Sequence, residues 1–314
     1  MIKFLDLKKI NSKFYPNFKK KLNQNLNDSQ FILSDYSKKF EINFSKFIGS
    51  KYCAGVGNGT DAIEIALEAL DLKKNSEVIV PANTFVATAE AVIRSNLKLR
   101  FCDIDQDKLG FDLNQLKKLV NKKTSAIIVV HLYGIPDKMT EIVKICKKNN
   151  LKLIEDCSQS HGSKYKNKNV GNFGDISTFS FFPGKILGGI GDGGACITSQ
   201  KSLYNKIIKI RNHGRIKKFD HNIVGRNSRL DSINAIFLDI KLKNLKNEIA
   251  IRSKQFEIYK KKLKYNKNIK FPKYKLDDII SICYLSIFIN TKRDIKGGDS
   301  NTSNGILLPI IKLL

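Results

Sequence analysis

The chain has 314 residues, of which 42% are hydrophobic and 27% charged, with 20 glycines. That is enough apolar material for a packed core, so a disordered chain and a small stapled module are both excluded, and the length suits one large α/β domain with an appendage. Lys and Arg number 56 against 29 Asp and Glu, a net charge of +27, which would suit a nucleic-acid binder or a protein handling anionic substrates. The excess is scattered in pairs such as Lys8-Lys9, Lys117-Lys118, Lys122-Lys123 and Lys147-Lys148, with no basic stripe interleaved with aromatics as single-strand binding requires. It reads as compositional bias; no nucleic-acid partner is expected, and a phosphate-bearing small substrate is compatible. The six cysteines form no C-x-x-C pair and read as reduced core residues. The N-terminus lacks a signal-peptide apolar region and no apolar run approaches the roughly 18 residues of a membrane span. A cytoplasmic protein with no membrane partner is therefore expected.

From about residue 50 to 200, short β-branched runs alternate with longer amphipathic ones, which predicts βαβ units and a buried, mostly parallel sheet. A helix is expected over 60–70, with Ile63, Leu67 and Leu70 on one stripe, and a strand over 77–80 ends at Pro81. Next come a helix over 84–95, a strand over 99–102, a helix over 113–121 and a fully apolar strand over 126–130. A helix over 142–149 leads to a strand over 151–154. Two further strands, 176–181 and 195–198, flank a glycine-rich loop, with five glycines after Lys185. Beyond residue 200 the pattern predicts a helix over 203–212, an irregular basic stretch over 213–227, and one long helix from about residue 229 into the 260s. An extended run over 279–289 and a nine-residue apolar stretch over 306–314 with no evident partner close the chain.

Polar groups fall just after several of these strands, and in an open parallel sheet all of them point into the crevice beyond the carboxyl ends. Gly57-Asn58-Gly59-Thr60 offers bare N–H groups, a helix dipole and a hydroxyl to a phosphate, although the same residues make an ordinary helix cap. Glu155-Asp156 carries acid to the sheet edge, where a buried carboxylate needs a cationic or hydrogen-bonding partner. Phe179-Ser180-Phe181-Phe182-Pro183-Gly184-Lys185 sets one lysine between an aromatic strand end and the glycine loop, a setting suited to imine chemistry. The spacing is not that of a P-loop, because Lys185 precedes the glycines and Ile186 follows it.

Six segments stand in order along the chain: Gly59-Thr60-Asp61-Ala62, Pro81 to Ala89, Val130-His131-Leu132-Tyr133-Gly134, Glu155 to Gly162, the Lys185 segment and Gly225-Arg226-Asn227-Ser228-Arg229-Leu230-Asp231. Their order carries a resemblance to the DegT/StrS family of nucleotide-sugar aminotransferases, fold type I enzymes that use pyridoxal 5'-phosphate. It covers residues 1 to about 290. It implies a large cofactor-binding α/β domain with an N-terminal helical segment over 1–228, then a linker helix and a small α+β domain over 229–314. It also implies that Lys185 holds the cofactor as an internal aldimine and moves the proton, with Asp156 paired to the pyridinium nitrogen. Gln159 would bond the ring oxygen and Phe85 would stack on the ring. Gly59, Thr60 and Ser180 would cradle the phosphate, and Asn227 would reach it from the other subunit of a homodimer with shared sites. His131 and His161 read as structural, and His213-Gly214-Arg215 as either a substrate contact or a solvated loop. No metal is expected.

By the same resemblance the substrates would be glutamate and a keto-deoxysugar carried on a nucleoside diphosphate, in surface-polysaccharide or glycan biosynthesis. After Arg293-Asp294 the family pattern is not continued, which predicts an incomplete, truncated small domain. The competing expectation is thus a catalytically impaired or non-catalytic remnant that binds the cofactor as scaffold or regulator.

Overall fold

The computed structural model describes residues 5–105, 107–267, 269–272, 285–290 and 305–311. Three helices come first: α1 (Leu7–Asn11), α2 (Tyr15–Asp28) and α3 (Asp35–Ile48). The alternating core follows with β1 (Tyr52–Val56), α4 (Gly59–Ala69), β2 (Glu77–Pro81), α5 (Val86–Arg94), β3 (Lys98–Cys102), α6 (Leu113–Leu119), β4 (Thr124–Val130), α7 (Met139–Lys148) and β5 (Lys152–Asp156). A small hairpin of β6 (Lys164–Tyr165) and β7 (Lys168–Asn169) precedes β8 (Ile176–Ser180), β9 (Gly194–Thr198) and α8 (Lys201–Ile210). Last come β10 (Arg215–Lys217), β11 (Asp220–His221), α9 (Ser232–Leu242), α10 (Leu245–Leu263), β12 (Ile269–Lys270), β13 (Leu285–Asn290) and β14 (Gly305–Ile311).

Seven strands form the central sheet in the order β1-β9-β8-β5-β4-β2-β3. All run parallel except β9, which is antiparallel to both its neighbours, β1 and β8. The apolar runs are two-sided because both faces are covered, as a parallel sheet requires. Val78, Val80, Ile128, Ile154 and Ile176 meet α4, α5 and α8 on one face. Ile79, Ile127, Val129 and Leu153 meet α6 and α7 on the other. That second face continues at Phe179, Ala195 and Ile197, covered by Phe40, Phe44 and Ile48 of α3 and Ala235 and Leu238 of α9. Strand parity therefore assigns side chains: residues in step with Ile154 and Ile176, namely Asp156 and Ser180, lie on the α4–α5 face, and Glu155 lies on the opposite one.

Three expectations need correction. The stretch over 213–227 contains an antiparallel hairpin of β10 and β11, too short to carry a periodic signal. The expected long helix is two, α9 and α10, broken at Lys243 and Asn244. Asn244, at φ −102° and ψ 0°, precedes α10 without a side-chain capping bond, and its Nδ2 donates instead to Glu248 Oε1 at 2.9 Å. The apolar tail is not partnerless: β14 pairs antiparallel with β13, from Gly305 opposite Asn290 to Ile311 opposite Leu285, and β12 completes a three-stranded sheet. The rest of the extended run before residue 285, Cys283 and the segment 291–304 lie outside the described residues. The other five cysteines are free and buried. Among the described residues no helix is long and apolar enough to cross a membrane.

Candidate active site

A crevice of about 600 Å³ opens at the carboxyl ends of the parallel strands. Its wall includes Gly59, Thr60, Phe85, Asp156, Gln159, Ser180 and Lys185, seven of the eight residues expected from the sequence. The loops after β1, β2, β5 and β8 bring them together from widely separated parts of the chain. Crossover topology explains the convergence: β2 leads outward to β3 while β4, β5 and β8 step back toward β1, so the loops diverge around a gap.

At the N-terminus of α4, the Asn58 side chain caps the helix by accepting from the Asp61 N–H at 2.8 Å. The N–H groups of Gly59 and Thr60 precede any intrahelical partner and face the crevice with the positive end of the helix dipole. Gly59 is required by close approach: a Cβ there would lie 2.7 Å from Ser180 Cβ and 3.1 Å from its Oγ. The first turn of α4 and the end of β8 thus form one cup, and its donors fit a phosphate group. Ser228 braces the cup from behind, its Oγ accepting from the Gly57 N–H at 2.9 Å and donating to Asp61 Oδ2 at 2.5 Å.

Asp156 is buried in the wall of the crevice, at the end of β5 beside β8. Its Oδ2 accepts from Thr88 Oγ1 at 2.9 Å and its Oδ1 from the Ser158 N–H at 3.0 Å. Thr88 is in turn paired with Thr84 Oγ1 at 2.9 Å. Among the described residues no Lys, Arg or His forms an ion pair with this carboxylate, so its charge is held only by neutral donors. A buried carboxylate in that state fits a protonated ring nitrogen. Gln159 Oε1 accepts from the Tyr133 N–H at 2.9 Å, which fixes the amide and leaves its Nε2 to donate into the crevice. Tyr133 adopts φ 59° to make that contact, followed by Gly134 at φ 91°. Phe85 is 67% exposed, so it is not core; it stands as an apolar platform at the mouth. Lys185 also lines the crevice, and among the described residues no hydrogen bond or ion pair engages its amine. Asn227 is exposed on the far side of the 213–227 segment and does not line the crevice.

The neighbouring acid has another role. Glu155 Oε1 accepts from the N–H groups of Phe173 and Gly174 at 2.7 and 2.8 Å, and from Ser177 Oγ at 3.2 Å. Its Oε2 meets Gly171 N–H at 2.8 Å and His131 Nε2 at 3.2 Å. Burial pushes the Glu155 pKa up, and the His131 bond and these amides outweigh it, so the carboxyl is held below its usual range. His131 Nδ1 accepts from the Asp137 N–H at 3.2 Å, so Nε2 carries the ring proton toward Glu155. Both are saturated, structural groups. Thr88 and Ser228 were not expected to support the site, although each falls inside a motif quoted for it, and Thr84 and Thr88 have the i, i+4 spacing that places hydroxyls side by side.

Comparison with known proteins decides the family. The DegT/DnrJ/EryC1/StrS aminotransferase family matches residues 14–299. The chain belongs to it. A "Pleiotropic regulatory protein" of Geobacillus stearothermophilus is 41% identical over 258 residues, covering 82% of this chain and 69% of the relative. A dTDP-3-amino-3,6-dideoxy-alpha-D-galactopyranose transaminase of Aneurinibacillus thermoaerophilus is 39% identical, covering 79% and 68%. Among solved structures, S. venezuelae DesV in complex with a ketimine intermediate aligns at TM-score 0.90 and 29% identity, covering 93% of this chain and 78% of that one. The ntda protein of Bacillus subtilis, solved with bound cofactor PMP, aligns at 0.84 and 28% identity, covering 92% and 66%. Membership makes this chain a pyridoxal-phosphate aminotransferase by class, and the cup, the buried acid and the lysine fit that cofactor.

Proposed function

We propose that this chain transfers an amino group from glutamate to a keto-deoxysugar carried on a nucleoside diphosphate, in glycan or surface-polysaccharide biosynthesis. The observation that carries the reading is a single crevice wall that holds a lysine with no partner among the described residues, a buried carboxylate without a cation and a helix-terminal cup. The bound cofactor supplies an electron sink for the carbon that loses its proton. Lys185 Nζ would hold the cofactor and, once the donor amine has displaced it, would take that proton, then deliver a proton to the acceptor carbon in the second half-reaction. The Asp156 carboxylate keeps a proton on the ring nitrogen. Gln159 Nε2 donates to the ring oxygen, and Phe85 covers one ring face. The amides of Gly59 and Thr60 with Ser180 Oγ bind the phosphate, and Asn227 of one subunit completes the cup of the other in a homodimer. The sugar acceptor is supported by the name of the transaminase relative.

Borohydride reduction of the cofactor-loaded protein, followed by peptide mapping, tests the central assignment. The label is expected on Lys185 and absent from Lys185→Ala, whose circular dichroism is unchanged. A label on another lysine overturns it. Turnover of nucleotide-linked keto sugars with glutamate, read as amino-sugar product, tests the substrate reading.

A further inference from the structure

The loop that follows Lys185 is held by a helix that lies outside the crevice. It closes on itself through Lys185 N–H to Phe182 C=O and Gly189 N–H to Phe181 C=O, both 2.8 Å, and Phe181 N–H to Gly193 C=O at 2.7 Å. Two side chains of α9 then fasten its outer arc. Asn234 Oδ1 accepts from the Ile190 N–H at 3.1 Å, and its Nδ2 donates to the Asp192 C=O at 2.8 Å. About two turns further along α9, Lys241 Nζ donates to the Gly188 C=O at 2.7 Å and to Asn11 Oδ1 at 3.1 Å. Asn234, Lys241 and Asn11 are all more than nine-tenths buried. The fit is close, since a Cβ at Gly189 would lie 2.1 Å from Asn234 Oδ1.

A buried lysine is costly. Burial, with the Arg252 charge adding to it, lowers the Lys241 pKa to about 8, and its neighbours on α9, Leu238 and Leu242, are apolar. An aliphatic side chain would fill the space without that cost but would leave the Gly188 carbonyl unsatisfied. Both bonds survive loss of the proton, because a neutral amine still has two N–H donors. We propose that Lys241 and Asn234 are positioning residues: they clamp the glycine loop at two points and so fix where Lys185 presents its amine, with Lys241 also tying that loop to the N-terminal helix α1. The inference rests on the reading of Lys185 as the cofactor-bearing lysine.

Lys241→Met keeps the length and apolar stem and removes the donors. Asn234→Ala releases the other contact without touching a charge, and it decides the question alone if Lys241→Met does not fold. Each full-length variant is titrated with pyridoxal phosphate from the cofactor-free state, and its visible absorption band is recorded. Loss of one buried hydrogen bond at the loop is expected to raise the Kd about tenfold and to move the band from its wild-type position. In the cofactor-free protein, trypsin cleavage after Lys185 is expected to accelerate in the same variants. Wild-type Kd and band position in the folded variants overturn the clamp even if their Tm falls. Borohydride labelling of wild type separates the two failures: a label away from Lys185 overturns the functional reading beneath it, while a label on Lys185 with unmoved variants overturns the clamp alone.

Discussion

His161 places its ring among Phe44, Phe179 and Phe181, with centroids 6.3, 5.5 and 5.9 Å away. Neither ring nitrogen finds a partner at hydrogen-bond geometry. Burial, then the nearby Lys185 charge, lowers its pKa to about 3, and the Ser180 backbone offsets only part of this. The sign follows from linkage. Below the ordinary value of 6.5 the unfolded chain takes up a proton that the native state refuses until about 3, so stability is full above 6.5 and falls as pH drops through that window. His161→Leu is expected to be near wild type at neutral pH and to remove roughly 3–5 kcal/mol of the acid loss. Denaturant titrations of both proteins between these pH limits check it, and parallel pH curves would refute it. Asp156 belongs to the same scale. Asp156→Asn still accepts from Thr88 Oγ1 but can no longer hold a ring proton by its charge. The reducible adduct is expected to persist while the half-reaction with glutamate slows by about a hundredfold or more, read by stopped-flow absorbance.

At the scale of elements, the site is the meeting of α4's first turn with the last residue of β8. Gly59→Ala drives a methyl into Ser180; the protein is expected to fold, with cofactor affinity weakened about tenfold or more, measured by equilibrium titration. This juxtaposition shows what the sequence could and could not reveal. Apolar runs such as 126–130 mark strands buried on both faces, and α7 over Met139–Lys148 shows its period of 3.6, so those elements were legible to within a few residues. The order of the strands was not, because pairing is set by crossover connections rather than by local pattern. The reversed direction of β9 likewise leaves no mark on Gly194–Thr198. The pair Glu155-Asp156 and Lys185 were legible because acids that close an apolar strand and a lone lysine before five glycines are rare settings, and the family resemblance singled out Asp156. Which of Glu155 and Asp156 faces the crevice depends on strand parity, and the saturation of Glu155 by backbone amides of 171–174 depends on the β6–β7 hairpin folding beneath it. Ser228 was hidden for the same reason. Only the folded chain brings the Gly225 to Asp231 motif against α4, where Arg226 also pairs with Glu64 and Glu68.

On the scale of the whole molecule, the 213–227 segment is an arm whose apolar residues find little cover among the described residues. Phe219 is 88% exposed and Val224 94%, with Ile216 and Ile223 also open, and Phe85 and Val86 are bare at the mouth of the crevice. Apolar surface gathered on an arm, beside a crevice whose eighth expected residue lies outside it, is the surface a second copy would bury. The base of the arm is rigid: Asn227 bridges Asn212, and Arg226 N–H bonds the Ile210 C=O at 2.7 Å. It therefore presents Asn227 outward rather than folding it back. If the cup is completed across a two-fold axis, each site takes Lys185 from one copy and Asn227 from the other. Lys185→Ala and Asn227→Ala homodimers are both expected to lack activity. After mixing and subunit exchange, half the molecules are mixed pairs, and each mixed pair holds one site with both mutations and one with neither. Activity is then expected to recover to about a quarter of the wild-type value, the share of intact sites in a random mixture of such dimers. Amino-sugar formation measured before and after exchange reads this directly. Recovery indistinguishable from zero, with mixed dimers verified by mass, would refute the sharing of sites, as would a monomeric mass for the cofactor-loaded protein.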